Sequence, residues 1–135
     1  HFYLFHAPTG SPHTLHYSPT RRSSELLLQQ HQPELLILCH GGNDILRRQN
    51  LQQTKKNIQA MVDLAKANNT QVVLVSVPQF GVFLSPLPIY VELASSNQLP
   101  LENSVLSDIL GDNRLKSDQI HPNADGYALI AERIH

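Results

Sequence analysis

Two short apolar runs stand on either side of one long amphipathic segment, and that spacing constrains the chain more than any other feature. Leu35-Leu36-Ile37-Leu38-Cys39 is continuous and is stopped by Gly41-Gly42, the pattern of a strand buried on both faces. Gln71-Val72-Val73-Leu74-Val75-Ser76-Val77 is rich in β-branched residues and is stopped by Pro78, which reads as a second strand. Residues 50–69 between them read as a helix. Leu51, Ile58, Met61, Leu64 and Ala65 fall on one face, and Gln52, Lys55, Lys56, Asp63 and Lys66 stay in water. Asn50 is placed to cap the helix, and Asn68-Asn69 closes it. A strand, a crossover helix and a second strand make a parallel pair.

The flanking segments extend the alternation. Residues 25–31 read as the end of a helix stopped by Pro33, and residues 78–88 as a loop. Residues 89–96 suggest a helix with Ile89, Tyr90 and Leu93 inward. Leu99-Pro100-Leu101 suggests a short third strand, and residues 105–110 a short helix before Gly111. Residues 123–135 open behind Pro122 as a helix with Tyr127, Ile130 and Ile134 inward. Tyr90 and Tyr127 read as amphipathic core residues, not acid catalysts. The fold class is therefore α/β, a parallel sheet with helices on both faces. In such sheets the chemistry gathers beyond the carboxyl ends of the strands.

With 135 residues, one domain is expected, able to bury roughly two-thirds of its unfolded surface. The 41% apolar and 16% charged content is that of a globular protein. A net charge of −1 and the absence of a Lys/Arg stripe leave no footprint for nucleic acid. No apolar run reaches the roughly 18–20 residues of a membrane span, so no stable membrane insertion is expected. The single cysteine, Cys39, excludes an internal disulfide and reads as a packing residue in its apolar run.

Residues 1–24 differ from the rest, holding four of the eight histidines and little periodicity. Pro19-Thr20-Arg21-Arg22-Ser23-Ser24 resembles the conceptual translation of a sequencing-adapter oligonucleotide, so this segment is set aside as non-native. His13-x-x-His16, with His1 and His6, suggests a metal site only through residues of that segment. His31 and His40 add no ligand spacing, and no metal or cofactor is expected.

Chemistry is carried by two motifs. Asp118-Gln119-Ile120-His121-Pro122-Asn123 sets a carboxylate three residues before an imidazole, across a turn. His121 suits a general base near neutral pH, and Asp118 can accept its Nδ1 proton and fix the tautomer. Pro122 stiffens the turn and Asn123 is placed to cap the next helix. Gly41-Gly42-Asn43-Asp44 follows the first strand, where glycine permits sharp backbone geometry. The Asn43 amide can then donate to the oxyanion of a tetrahedral intermediate. Each motif alone is equally a plain turn.

In this order and frame the two motifs resemble those of the SGNH (GDSL-type) hydrolase family, and the bacterial arylesterase, lysophospholipase and acyl-CoA thioesterase branch in particular. The resemblance covers about residues 25–135. It implies a flavodoxin-like three-layer α/β/α fold with a parallel sheet. It also implies that His121 is the base, Asp118 its orienter and Asn43 an oxyanion donor, with Gly42 and Asp44 beside the substrate. The implied substrate is a small acyl ester or thioester, and members of this branch are often periplasmic.

One departure stands out. The family's nucleophile sits in a Gly-Asp-Ser block on its first strand, and its second block supplies a glycine N–H. Neither is in this sequence. Gly10-Ser11 lacks the aspartate, Ser23 and Ser24 fall in the set-aside segment, and Ser76 comes after the Asn block. The expectation is a chain truncated at its N-terminus, lacking the first strands and inactive as an esterase. The nucleophile and any export signal would lie upstream. An apolar edge beside residues 35–39 would then be open, and Phe2-Tyr3-Leu4-Phe5 is a run able to pair there. The alternative is a non-catalytic SGNH-like binding or structural module.

Overall fold

The computed structural model describes Tyr3–Leu4, residues 19–80 and residues 84–135, with side chains described from residue 25 onward. Two units divide the chain, His1–Val73 and Leu74–His135. In the first, Tyr3–Leu4 (β1) pairs in parallel with Leu35–Cys39 (β2), Tyr3 beside Leu36 and Leu4 beside Ile37. Phe2 and Phe5 lie outside the described residues, as do His1, His6, His13 and His16.

Strand β2 covers the residues expected of it, but its burial alternates. Leu36 and Leu38 are buried, whereas Leu35, Ile37 and Cys39 are only half-buried. One face is sealed and the other partly covered, where equal burial of both was expected. Helix α1, Pro19–His31, precedes the strand and carries Leu28 into the core. It packs on α3, and Pro33 stops it by removing the next N–H.

Beyond β2 a short helix, α2 (Gly42–Leu46), leads into α3 (Leu51–Ala67). Asn50 caps α3 as expected, its side-chain oxygen accepting from the N–H groups of Gln52 (2.9 Å) and Gln53 (3.4 Å). The buried face of α3 is Thr54, Ile58, Met61, Val62 and Ala65, a regular helical stripe. Leu51 and Leu64, expected inward, are half-buried, and Lys55 is half-buried where full exposure was expected. Thr54 takes a core position because its hydroxyl is satisfied, donating to Asp44 Oδ2 at 3.0 Å.

Strand β3, Gln71–Val75, is shorter than the apolar run that predicts it; Ser76 and Val77 stay buried but leave the strand before Pro78. At its start the Gln71 N–H donates to the Glu34 carbonyl, and the Thr70 hydroxyl to the Pro33 carbonyl, both at 2.9 Å. The unit division falls inside β3.

In the second unit Leu74 and Val75 pair in parallel with Leu101 and Glu102, the third strand expected near residue 100. Residues 78–88 are not all loop: Pro78–Gln79 (β4) and Ser85–Pro86 (β5) form a minimal antiparallel ladder. Helix α4, Pro88–Asn97, begins on a proline whose missing N–H costs nothing there. It buries Ile89, Tyr90, Leu93 and Ala94. After Leu101–Glu102 (β6) come α5 (Val105–Gly111), a 3-10 turn (Asn113–Leu115) and α6 (Ala124–Ile134). The sheet order is β1-β2-β3-β6.

Helix α6 packs on α5 and on the 3-10 turn. Ile130 is buried and Ile134 half-buried, but Tyr127 is 48% exposed and is not a core residue. Gly126 is the buried residue of that turn, and the next position points about 100° away around the helix. No helix among the described residues is long and apolar enough to cross a membrane.

Candidate active site

The second unit holds Asp118 and His121 in a short closed loop. An antiparallel bridge between Lys116 and Pro122 shuts its base, and the Ser117 N–H donates to the His121 carbonyl at 2.9 Å. Inside, Asp118 Oδ1 accepts the N–H groups of Ile120 (2.8 Å) and His121 (2.9 Å). Asp118 Oδ2 lies 2.7 Å from His121 Nδ1. An ionised carboxylate has no proton to give, so Nδ1 is the donor and carries the hydrogen. The Ile120 N–H first, and the His121 ring next, hold the Asp118 carboxyl below the usual carboxylate range. Both side chains are about half exposed, Asp118 at 55% and His121 at 47%. A pair this wet adds little to stability; what it fixes is ring orientation and tautomer.

The first unit holds Gly42, Asn43 and Asp44. Only Gly41 of the two glycines has left-handed backbone, with φ 107°, and it turns the chain from β2 into α2. Gly42 and Asn43 are the first residues of α2 and are half-buried. The Arg47 N–H donates to the Asn43 carbonyl at 3.0 Å, and the Gln49 N–H to the Asp44 carbonyl at 2.8 Å. Asp44 is also held through its side chain by Thr54. The short helix that carries Asn43 is thereby tied to α3. Burial lowers the neighbouring His40 imidazole, against an opposing pull from Asp44. Burial also pushes the Cys39 thiol up to about 11, in keeping with a packing role.

Thr54 is the supporting residue that the sequence reading misses. The signal was available, since a hydroxyl on an apolar stripe needs a buried partner. Gly126 is a second omission: a Cβ there would collide with the Leu115 carbonyl oxygen and press on Pro122 and Ile109. Ser76 is buried at 2% exposure, and its hydroxyl donates to Asn103 Oδ1 at 2.6 Å. Among the described residues, no three His, Cys, Asp or Glu side chains gather as a metal-binding group.

Parallel strands alternating with helices define a three-layer α/β/α protein of the SGNH hydrolase fold. Residues 14–129 match the model of the GDSL-like Lipase/Acylhydrolase family, and the chain belongs to that family. It is 31% identical over 112 residues to thioesterase 1/protease 1/lysophospholipase L1 of Escherichia coli K12, covering 78% of this chain and 54% of that protein. It is 30% identical over 112 residues to an arylesterase of Vibrio mimicus, covering 78% of this chain and 56% of that protein. Its structure resembles that of a psychrotrophic esterase, EstA, from Pseudoalteromonas sp., with TM-score 0.70 and 25% identity, over 84% of this chain and 66% of that one. The chain thus spans about half the length of the curated relatives it matches.

Proposed function

We propose that this chain carries the base half of a serine-type hydrolase of carboxylic esters or thioesters, and that by itself it does not turn substrate over. His121 is the general base, Asp118 orients it, and Asn43 donates its side-chain amide to the oxyanion. Gly42 and Asp44 line the substrate. The observation that carries the reading is the 2.7 Å contact between His121 Nδ1 and Asp118 Oδ2, with the carboxylate braced by two backbone N–H groups. A ring protonated at Nδ1 presents the Nε2 lone pair as base. In acyl transfer that nitrogen takes the proton of a serine hydroxyl as its oxygen bonds to the carbonyl carbon. The carbonyl electron pair moves onto oxygen, where an amide donor is worth about 3–4 kcal/mol in the transition state. The proton then passes to the leaving group as its bond to carbon breaks. The names of the relatives, thioesterase, lysophospholipase and arylesterase, support an acyl substrate.

The sequence contains no Gly-Asp-Ser block. Losing the nucleophile of a working triad costs about a millionfold in turnover. The purified chain is therefore expected to leave p-nitrophenyl butyrate and palmitoyl-CoA unhydrolysed and to resist labelling by a fluorophosphonate. Hydrolysis that disappears in His121→Ala overturns the inactivity. The assigned roles are tested in a chimera with a Gly-Asp-Ser-bearing N-terminal segment of the family joined ahead of residue 25. It should hydrolyse the butyrate ester, falling about 10⁴-fold with Asp118→Asn and about 10²–10³-fold with Asn43→Ala. An active chimera indifferent to His121→Ala sinks the assignment.

A further inference from the structure

We propose that Asn123 is a positioning residue for the Asp118 and His121 pair, acting through the closure of their loop. The proposal rests on the reading of that pair as orienter and base. Starting α6 accounts for only two of the four hydrogen bonds Asn123 makes away from its own loop, the side-chain cap and the first helical bond to its carbonyl. Its side-chain oxygen accepts the Gly126 N–H at 3.0 Å, which is the cap. Its side-chain nitrogen donates in the opposite direction, to the Arg114 carbonyl at 2.8 Å. Its backbone N–H donates to the Leu115 carbonyl at 2.9 Å, and its carbonyl accepts the Tyr127 N–H at 2.9 Å. One residue therefore joins the 3-10 turn that enters the loop to the helix that leaves it.

The loop between these two ends contains the candidate dyad and little else. Its base is the Lys116 to Pro122 bridge and the Ser117 N–H on the His121 carbonyl, one step inside the strap that Asn123 makes. His121 is thus held by Asp118 at its ring and its N–H, and by Ser117 at its carbonyl. Gly126 makes the strap possible, because the Leu115 carbonyl occupies the space a side chain there would need. Releasing the Asn123 amide from Arg114 loosens the entry side of the loop. The Asp118 carboxylate then no longer meets the ring at a set angle, and the hold on the tautomer weakens.

A cap and a strap make different demands on the side chain. Aspartate caps as well as asparagine, but its carboxylate has no hydrogen to donate to the Arg114 carbonyl. The test is a long-range proton–nitrogen correlation spectrum of the full chain, nitrogen-15 labelled, at a pH where imidazole is neutral. His121 is assigned by its loss in His121→Gln, and Asp118→Asn sets the pattern of an unoriented ring. The native chain should show His121 with its proton on Nδ1. Asn123→Asp should move it to the Asp118→Asn pattern while helix content holds. Amide exchange supplies a second readout: Ser117 should lose protection about fivefold, the worth of one net hydrogen bond, while Gly126 keeps its protection. An Asn123→Asp chain that retains the native tautomer and Ser117 protection overturns the positioning role and leaves the dyad standing. A native chain already indistinguishable from Asp118→Asn overturns the dyad itself.

Discussion

Asp118 is depressed in the folded chain, chiefly by the Ile120 N–H and then by the His121 ring. A group lowered in this way contributes fully above the unfolded value and loses its contribution as pH falls through the folded one. The bracing of the loop is therefore complete at neutral pH and is released only on the acid side of 3.8. A carbon NMR titration of the Asp118 carboxyl should have its midpoint below 3.8, with the Ile120 and His121 amides shifting in step. A midpoint at or above that value removes the hydrogen bonds from the explanation. Cys39 gives the opposite case, since desolvation raises its thiol from 9.0 to about 11. Near neutral pH its thiolate is about a hundredfold scarcer than in the unfolded chain. Alkylation by iodoacetamide should be correspondingly slow in buffer and fast in urea. Equal rates would mean that the thiol is not desolvated.

The helices end in a way that leaves a margin for stabilisation. Gln32, Arg48, Asn69 and Gln98 follow α1, α2, α3 and α4 with φ between 42° and 56°. Left-handed backbone of this kind favours glycine, and a side chain there costs about 1 kcal/mol. Gln98→Gly should therefore raise the denaturation midpoint by an amount equivalent to about 1 kcal/mol, read by urea unfolding. A lower midpoint would show that the Gln98 side chain contributes more than its backbone strain costs. These ends also explain how far the elements were legible in the sequence. Helix α3 was readable because Asn50 caps it and its stripe is long, and β2 because a run of five apolar residues meets a glycine. Helix α2 and the β4–β5 ladder were not, because five and two residues are too short to show a period. Tyr127 was misplaced by one position of helical phase. The turn packs through a glycine, which carries no hydrophobic signal. The candidate loop was legible in its residue types and their spacing. Its closure was not, because it runs through main-chain carbonyls that any residue could supply.

Across the whole chain, β3 is the element on which most depends. Its start is tied to the end of the α1 connection through Thr70 and Gln71, and its far end pairs with β6. Leu74, the fourth of its five residues, is fully buried. Leu74→Ala should cost about 2–5 kcal/mol, enough to remove much of the stability of a small domain. The measurement is a urea denaturation curve followed by far-UV circular dichroism, and a loss under 1 kcal/mol would contradict the central place given to this strand. The main-chain ties at the base of the 116–122 loop carry a different kind of consequence. Gln119 and Ile120 make no side-chain hydrogen bond to the rest of the loop, so drift in a population of genes can rewrite both, short of a proline at 120 that would remove the N–H bracing Asp118. Gaining or losing a single codon there is another matter, because it would slide the carboxylate past the ring. Such a lineage is nearly free in spelling at these two positions and fixed in count.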